Sequence, residues 1–352
     1  MPKNSANMSR QKRIVVLTDL HIRCDYYHGY LEAQIDTLTR LVNSKPTDIV
    51  IINGDIFHKR NPKGQELLAF QTLLDGFKCS EIIINRGNHD TVRKGDSTET
   101  TLSLFRDKAQ ICVDRERVHI AGQDFHIIPH FEDDEKLIEY LKEASSEKAN
   151  VFGHFGFDGC VSNGAYAYDS YIKKSHVRPN KDGFAFLGHI HVPKVYNENI
   201  YLLGTQYTTC FGEANRTLYC HDIVIDKSGM KVNRTPIEFG IKHFQCHLEE
   251  LPQLSKKFNF KNFYSLLRLK LDHMDGGVEE ELKNNIFSKY DINQLEIVFE
   301  DILPKFGSGH VPHARITTID DDLIDKYITE SDSIFSRSEL LDGLNRVRSY
   351  ED

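Results

Sequence analysis

Five short apolar runs in this sequence each end on a glycine, aspartate, asparagine or histidine, and no other feature constrains the fold as tightly. Arg13 to Thr18 runs into Asp19-Leu20-His21, and Asp48 to Ile52 into Asn53-Gly54-Asp55. Glu81 to Ile84 leads to Gly87-Asn88-His89-Asp90, Val151-Phe152 to Gly153-His154, and Phe184 to Leu187 to Gly188-His189-Ile190-His191. Each run has the length and composition of a buried strand. Between the first three, Leu31, Ile35, Leu38 and Leu41, then Leu67, Phe70, Leu73, Leu74 and Phe77, recur at helical spacing. Strands alternate with helices early and dominate from about Tyr196 to Phe244. The pattern predicts an α/β fold with a mixed sheet or two packed sheets.

The intervening chain adds a short helix near Leu102 to Phe105, strands over Arg117 to Ala121 and Asp124 to Ile128, and a helix over Asp133 to Glu147. A boundary is expected near Gly240 to Phe258. Beyond it, Phe263 to Leu271 alternates, Glu279 to Tyr290 is helical, and Leu295, Ile297 and Phe299 alternate again, a small β-α-β lobe. Pro304 to Pro312 reads as a linker. Two helices are expected near Asp320 to Ile328 and Ser336 to Val347, the second opening on the capping-box pattern Ser336-Arg337-Ser338-Glu339. The expected organisation is a disordered start (1–12), a main domain (13–240), the lobe (241–303), a linker (304–317) and a helical tail (318–352).

Composition excludes some classes. No apolar run approaches the roughly 20 residues needed to span a bilayer, so no membrane role is expected. The seven cysteines are odd in number and form no C-x-x-C pair, which implies reduced thiols in a cytoplasm and counts against a zinc ribbon. A formal net charge of −8 disfavours a surface coated in phosphate-binding lysines. It leaves a nuclease open, because bound divalent cations supply positive potential in a cleft. From Asp301 onward eleven acidic residues face six basic ones, so the tail is not expected to touch DNA.

Taken singly, each polar strand end has a plain structural reading. Asp55 after Gly54 is a turn residue, His154 a core histidine, and His189 and His191 are alternate residues on a strand. No folding requirement, however, places five such groups at five strand ends in order. At the carboxyl ends of strands in an open α/β sheet, side chains converge on one crevice. Three carboxylates, an amide and five imidazoles meeting there suit two divalent cations of the Mn2+, Fe2+ or Zn2+ kind better than Mg2+ or Ca2+.

In these motifs, D-x-H, G-D, G-N-H-D, G-H and G-H-x-H, the sequence resembles the calcineurin-like metallophosphoesterases, over roughly Arg13 to Phe239. The resemblance implies a sandwich of two mixed β-sheets flanked by helices. Protein Ser/Thr phosphatases continue the second motif as G-D-x-x-D-R-G and close the third with Glu. Here the second motif reads Gly54-Asp55-Ile56-Phe57-His58, followed by Arg60 and Pro62, and Asp90 closes the third. This form, with a β-α-β lobe and a helical tail, is similar to the SbcD-type nucleases of DNA double-strand break repair and recombination, and in its compact length to their phage members.

That resemblance implies two metal ions, manganese (Mn2+) foremost, one held by Asp19, His21 and His191, the other by Asn88, His154 and His189, with Asp55 between them. It implies that His89 protonates the leaving 3′ oxygen or stabilises its charge, that Asp90 orients His89, and that His58 helps seat the DNA backbone. It further implies a DNA-capping lobe, a homodimer within a heterotetramer, and a tail that docks through Leu323, Ile324, Tyr327, Leu340, Leu341 and Leu344 on an SbcC-like coiled-coil ATPase, in the cytoplasm (of the host, for a phage protein). A stand-alone phosphodiesterase acting on small nucleotides is the alternative. For Lys59, Arg60, Lys63, Arg93 and Lys94, and for Lys173, Lys174, His176, Arg178 and Lys181 with Tyr166, Tyr168 and Tyr171, phosphate contact and a solvated charged face are both open.

Overall fold

The computed structural model describes residues 11–95, 98–161, 167–177, 183–271 and 279–299. The expected linker and tail, and the first ten residues, lie outside them. β1 (Lys12–Leu17), α1 (Tyr30–Asn43), β2 (Ile49–Asn53), α2 (Gly64–Gly76) and β3 (Glu81–Asn85) form the alternating start. The three strands run parallel, with Val16 beside Ile51 and Ile51 beside Ile83, and β4 (Gln110–Cys112) extends them beyond β3.

β5 (Glu116–Ile120) and β6 (Gln123–Ile128) form a hairpin whose turn residues, Ala121 and Gly122, both hold positive φ, as the twist of a two-residue connection requires. After α3 (Asp134–Ser146) come β7 (Asn150–His154), the single turn α4 (Lys174–Val177), β8 (Ala185–Gly188), β9 (Lys194–Tyr196) and β10 (Ile200–Leu202). They make a second sheet ordered β5-β6-β7-β8-β10-β9, in which β6, β7, β8 and β10 are parallel. β11 (Tyr219–Asp226) and β12 (Gly229–Pro236) return antiparallel to the first sheet, giving β12-β11-β1-β2-β3-β4. The fold is thus two mixed sheets flanked by helices.

Strand alternation divides the core into layers. Ile14, Val16, Ile49, Ile51 and Ile83 face Phe125, Ile127, Phe152 and Phe186 between the sheets. The opposite faces, Val15, Leu17, Val50, Ile52, Ile82 and Ile84, pack under α1 and α2 through Leu38, Val42, Phe70, Leu73 and Leu74. Each such aliphatic side chain contributes about 1.5–3 kcal/mol by leaving water. On α1 the buried face is turned from the predicted one: Leu31 and Ile35 are only half-buried, whereas Gln34 and Thr37 are buried. The reason is polar, since Gln34 spends its amide on the loop after β1, with Nε2 donating to His21 O at 3.1 Å and to Tyr207 Oη at 2.8 Å.

A third sheet stands apart. β13 (Gly240–His247), α5 (Leu251–Lys257), β14 (Phe263–Leu271), α6 (Glu279–Lys289) and β15 (Gln294–Phe299) give three parallel strands over a core of Phe244, Phe260, Leu267, Leu269 and Ile286. The predicted β-α-β unit is present, with β13 as an added edge. His243 on β13 ties the lobe to the main domain, with Nδ1 2.9 Å from Thr208 Oγ1 and Nε2 3.0 Å from Tyr26 Oη. Among the described residues no helix is long and apolar enough to cross a membrane.

Candidate metal centre

The five polar motifs occupy the carboxyl ends of β1, β2, β3, β7 and β8, all on one rim of the two sheets. A buried amide ladder fixes that rim. Asn85, the last residue of β3, donates to Asn53 Oδ1 at 2.9 Å and to Ile128 O at 2.9 Å. Asn53, the last residue of β2, donates across to Gly153 O at 2.8 Å and Phe186 O at 3.2 Å. Both sheets are therefore stapled directly beneath the site.

At the strand ends the backbone takes conformations that side chains avoid. Asp19, His21, Asp55 and His189 hold φ of 51°, 44°, 52° and 77°. Left-handed backbone at non-glycine residues costs of order 1–3 kcal/mol each and concentrates at functional sites. Two glycines make the convergence possible. A Cβ at Gly87 would fall 2.2 Å from the Asp55 amide nitrogen and from its Oδ1, and one at Gly54, whose φ is +91°, would fall 2.2 Å from His154 Nδ1.

Among the described residues three groups of donor atoms result, each drawn within 4.8 Å: Asp19, His21 and His191; His21, Asp55 and His89; and Asp55, His154 and His189. Asn88 joins the last, its Oδ1 lying 3.0 Å from His189 Nδ1. Asp19, His21, Asp55 and His154 are buried, whereas Asn88, His89, His189 and His191 are partly exposed, so the centre opens on one side. His21 Nε2 lies 3.1 Å from His191 Nε2 and 3.8 Å from Asp55 Oδ2.

The donor set fits cations. His154 donates its Nδ1 proton to Asn53 O at 2.7 Å, so the lone pair of the neutral ring sits on Nε2. That atom is buried without a hydrogen-bond partner among the described residues, 3.4 Å from Asp55 Oδ2 and 3.8 Å from Asp19 Oδ1. Likewise, His191 gives its Nδ1 proton to Glu213 Oε1 at 2.5 Å, which turns its Nε2 lone pair toward His21. Lone pairs facing carboxylates and one another repel unless positive charge lies between them. The titration behaviour has the same origin. Burial disfavours the charged form of His154, but Asp55 and Asp19 outweigh it and raise its pKa to about 9. For Asp19, burial raises the pKa. For Asp55, burial opposes ionisation, yet His154 and the neighbouring imidazoles hold its pKa well below the usual carboxylate range. Burial and then His191 push His21 well down.

His89 and Asp90 part company. The His89 amide donates to Asp55 Oδ1 at 2.9 Å, and its ring Nδ1–H donates to the carbonyl oxygen of His58 at 2.8 Å. Asp90 does not orient His89, contrary to the expectation. Its two oxygens accept from Gly87 N at 2.8 Å and Ile56 N at 3.0 Å, which locks the second and third motifs together. Burial and the charge of Asp55 raise the Asp90 pKa to about 6. The predicted His58 sits at the rim, its Nε2 3.5 Å from Arg23 Nη1, and its ring lies 5.6 Å from that of His21.

Of three further neighbours, Glu213 and His130 carried no sequence signal, and Tyr168 was marked only as one of a basic and aromatic cluster. Glu213 backs His191 and also accepts from Thr209 N at 2.7 Å. Tyr168 Oη lies 3.3 Å from His189 Nε2, and the His130 ring is 5.7 Å from that of His189. The basic residues near the site are partly spoken for: Lys59 and Lys63 pair with Asp25 at 2.8 and 3.6 Å, and Lys173 with Asp158 at 2.9 Å. Arg60 bonds Thr91, while Tyr171 is exposed. Tyr166, Arg178 and Lys181 lie outside the described residues.

The sequence matches calcineurin-like phosphoesterase over residues 12–193, more than half of the chain. The chain belongs to that family. Membership makes it a metal-dependent phosphoesterase of a family that takes two divalent metals, and the donor groups above are its candidate ligands. Among solved structures, the chain is similar to a protein of unknown function from Aquifex aeolicus, with 14% identity, 46% of this chain and 83% of that one covered, and a TM-score of 0.28. It is also similar to purple acid phosphatase PPD1 from yellow lupin (Lupinus luteus) seeds, at 10%, 64%, 52% and 0.42, and to phosphopantetheinyl hydrolase from Mycobacterium tuberculosis, at 13%, 56%, 90% and 0.37. No curated protein matches it.

Proposed function

We propose that this phosphoesterase is a DNA exo/endonuclease subunit that uses two divalent cations, Mn2+ foremost, and acts in end processing with an SbcC-like coiled-coil ATPase. One observation carries the reading: the turn Gly54-Asp55-Ile56-Phe57-His58 supplies both the carboxylate shared by two donor groups and the carbonyl that fixes the His89 ring. Asp19, His21 and His191 would hold one cation and Asn88, His154 and His189 the other, with the Asp55 carboxylate available to both. When bound, such a pair supplies Lewis acidity toward the phosphate and a nucleophile at neutral pH. The chain's own residues do the rest. His89 keeps its Nδ1 proton against His58 O, so a second proton taken up by the ring sits on Nε2, and from that imidazolium Nε2 gives it to the leaving 3′ oxygen and returns to a lone pair. The sandwich rim excludes water on its buried side, and the exposed side admits the strand.

Purified protein incubated with linear duplex DNA and Mn2+, with and without the ATPase, tests this. Cleavage is expected, and its absence in both arms removes the nuclease reading. A parallel panel of cyclic nucleotides and dinucleoside polyphosphates addresses the second reading, which the partial pairing of Lys59, Lys63 and Lys173 with acids favours. Turnover there above that on DNA establishes a small-nucleotide phosphodiesterase. For the ATPase, truncation near Gly309 is expected to abolish co-purification, and unchanged co-purification refutes docking through the tail.

A further inference from the structure

The lobe buries a cation that no described residue neutralises. Lys242, on β13, is 2% exposed, and among the described residues its ammonium has no hydrogen bond or ion pair. Its Nζ lies 4.0 Å from the ring centroid of Phe258 and 5.4 Å from that of Phe263. Both rings line, with Lys242 itself, a cavity of about 320 Å³ between the end of β12 and the turn that follows α5. From the last residue of α5, Lys257 brings a second ammonium to the Phe258 ring, its Nζ 5.0 Å from the centroid. Asn259 and Asn262 add amide groups to the wall, and the exposed Glu238 at the rim pairs with neither lysine.

Cation–π contact offsets part of the desolvation of an ammonium and offers nothing against the repulsion between two of them. Lysines are almost never fully buried unless paired. A cavity of this size also exceeds the roughly 30 Å³ share of a single water several-fold. The acidic residue of that lining, Glu238, is exposed and pairs with neither Lys242 nor Lys257, so among the described residues the two ammonium groups lack a counter-charge. We propose that the cavity binds a phosphate group, with Lys242 and Lys257 as its cationic contacts and the side-chain amides of Asn259 and Asn262 as donors. The phosphate is either one from the backbone of a nucleic-acid strand or free inorganic phosphate. Burial, and then the charge of Lys257, push the Lys242 pKa down to about 8, which still leaves it charged at neutral pH. The site uses no residue of the metal centre and does not depend on the catalytic reading.

The test uses the full-length chain freed of divalent metal with a chelator, so that the metal centre does not compete. Inorganic phosphate is titrated calorimetrically, and a short fluorescent single-stranded oligonucleotide by anisotropy, against wild type, Lys242→Met, Lys257→Gln and the control Lys261→Gln. Lys261 is exposed and sits outside the cavity lining. Wild type is expected to bind at least one ligand. Lys242→Met and Lys257→Gln should each weaken it about tenfold or more, as for one lost charge-assisted contact, with Lys261→Gln unchanged. Loss confined to the oligonucleotide assigns a backbone phosphate, and loss of phosphate binding assigns the free ion. Lys257→Gln alters an exposed side chain and keeps the test valid if Lys242→Met does not fold. Absence of binding to either ligand, cavity variants that bind like wild type, or an equal loss in the control overturns the proposal.

Discussion

The Nδ1 of His89 lies 2.8 Å from the main-chain oxygen of His58. Because a carbonyl only accepts, the contact fixes which ring nitrogen carries the proton and leaves Nε2 for the site. The orienting group belongs to the backbone, so side-chain substitution at His58 does not remove it. His89→Ala is therefore expected to lower kcat by about 10²–10⁴-fold, the usual range for a positioned acid or base, with metal content by elemental analysis unchanged. His58→Ala should have a much smaller effect on kcat. Loss of metal in His89→Ala would instead make His89 a ligand, as its place beside His21 and Asp55 allows.

Glu213 stands behind His191, outside the donor groups. Its Oε1 accepts the His191 Nδ1 proton at 2.5 Å while Thr209 N and Oγ1 donate to the same carboxylate at 2.7 and 2.9 Å. Burial works against its charge, but His191 and Thr209 prevail and hold its pKa below the usual carboxylate range. Outer partners of this kind set the ring's tautomer and basicity, and their loss typically costs 10–100-fold in metal affinity. Glu213→Gln should show that loss when chelator-stripped protein is titrated with Mn2+, with the far-ultraviolet circular dichroism unchanged. Equal affinity for wild type and variant would mean that His191 is not a ligand.

These two cases also mark what the sequence could and could not carry. The ligand candidates were legible because each is contiguous with an apolar run, so strand periodicity alone delivers it to the sheet rim. Glu213 lies in a short turn after the last motif, where no period points anywhere. Gln34 hides on an apolar helix face, since spacing reports which side is buried but not that a buried amide is needed to hold the His21 loop. Asp90 differs from what the resemblance implies for a related reason: its place beside His89 in the chain does not give direction, and the carboxylate turns back to two amide protons. β13 fell within what reads as a domain boundary, because its polar Lys242, His243 and Gln245 break the strand pattern that its pairing with β14 supplies.

His221 offers a pH-dependent test away from the metal centre. It sits in β11 opposite Val16, is 0% exposed, and neither ring nitrogen has a hydrogen-bond partner among the described residues. Burial, and then the nearby Arg234, lower its pKa from 6.5 to about 3. The folded chain thus keeps the ring neutral where the unfolded chain protonates it. As pH falls from about 6.5 toward 3, the unfolded state binds the extra proton and stability declines, whereas above 6.5 this contribution is constant. His221→Leu removes the linkage together with a buried donor and acceptor, each unmatched at about 1–3 kcal/mol. Urea unfolding of the metal-free protein should show the variant more stable at neutral pH by on the order of 1–3 kcal/mol, with the gap widening at pH 5. A constant or narrowing gap would mean that the ring is already protonated in the fold.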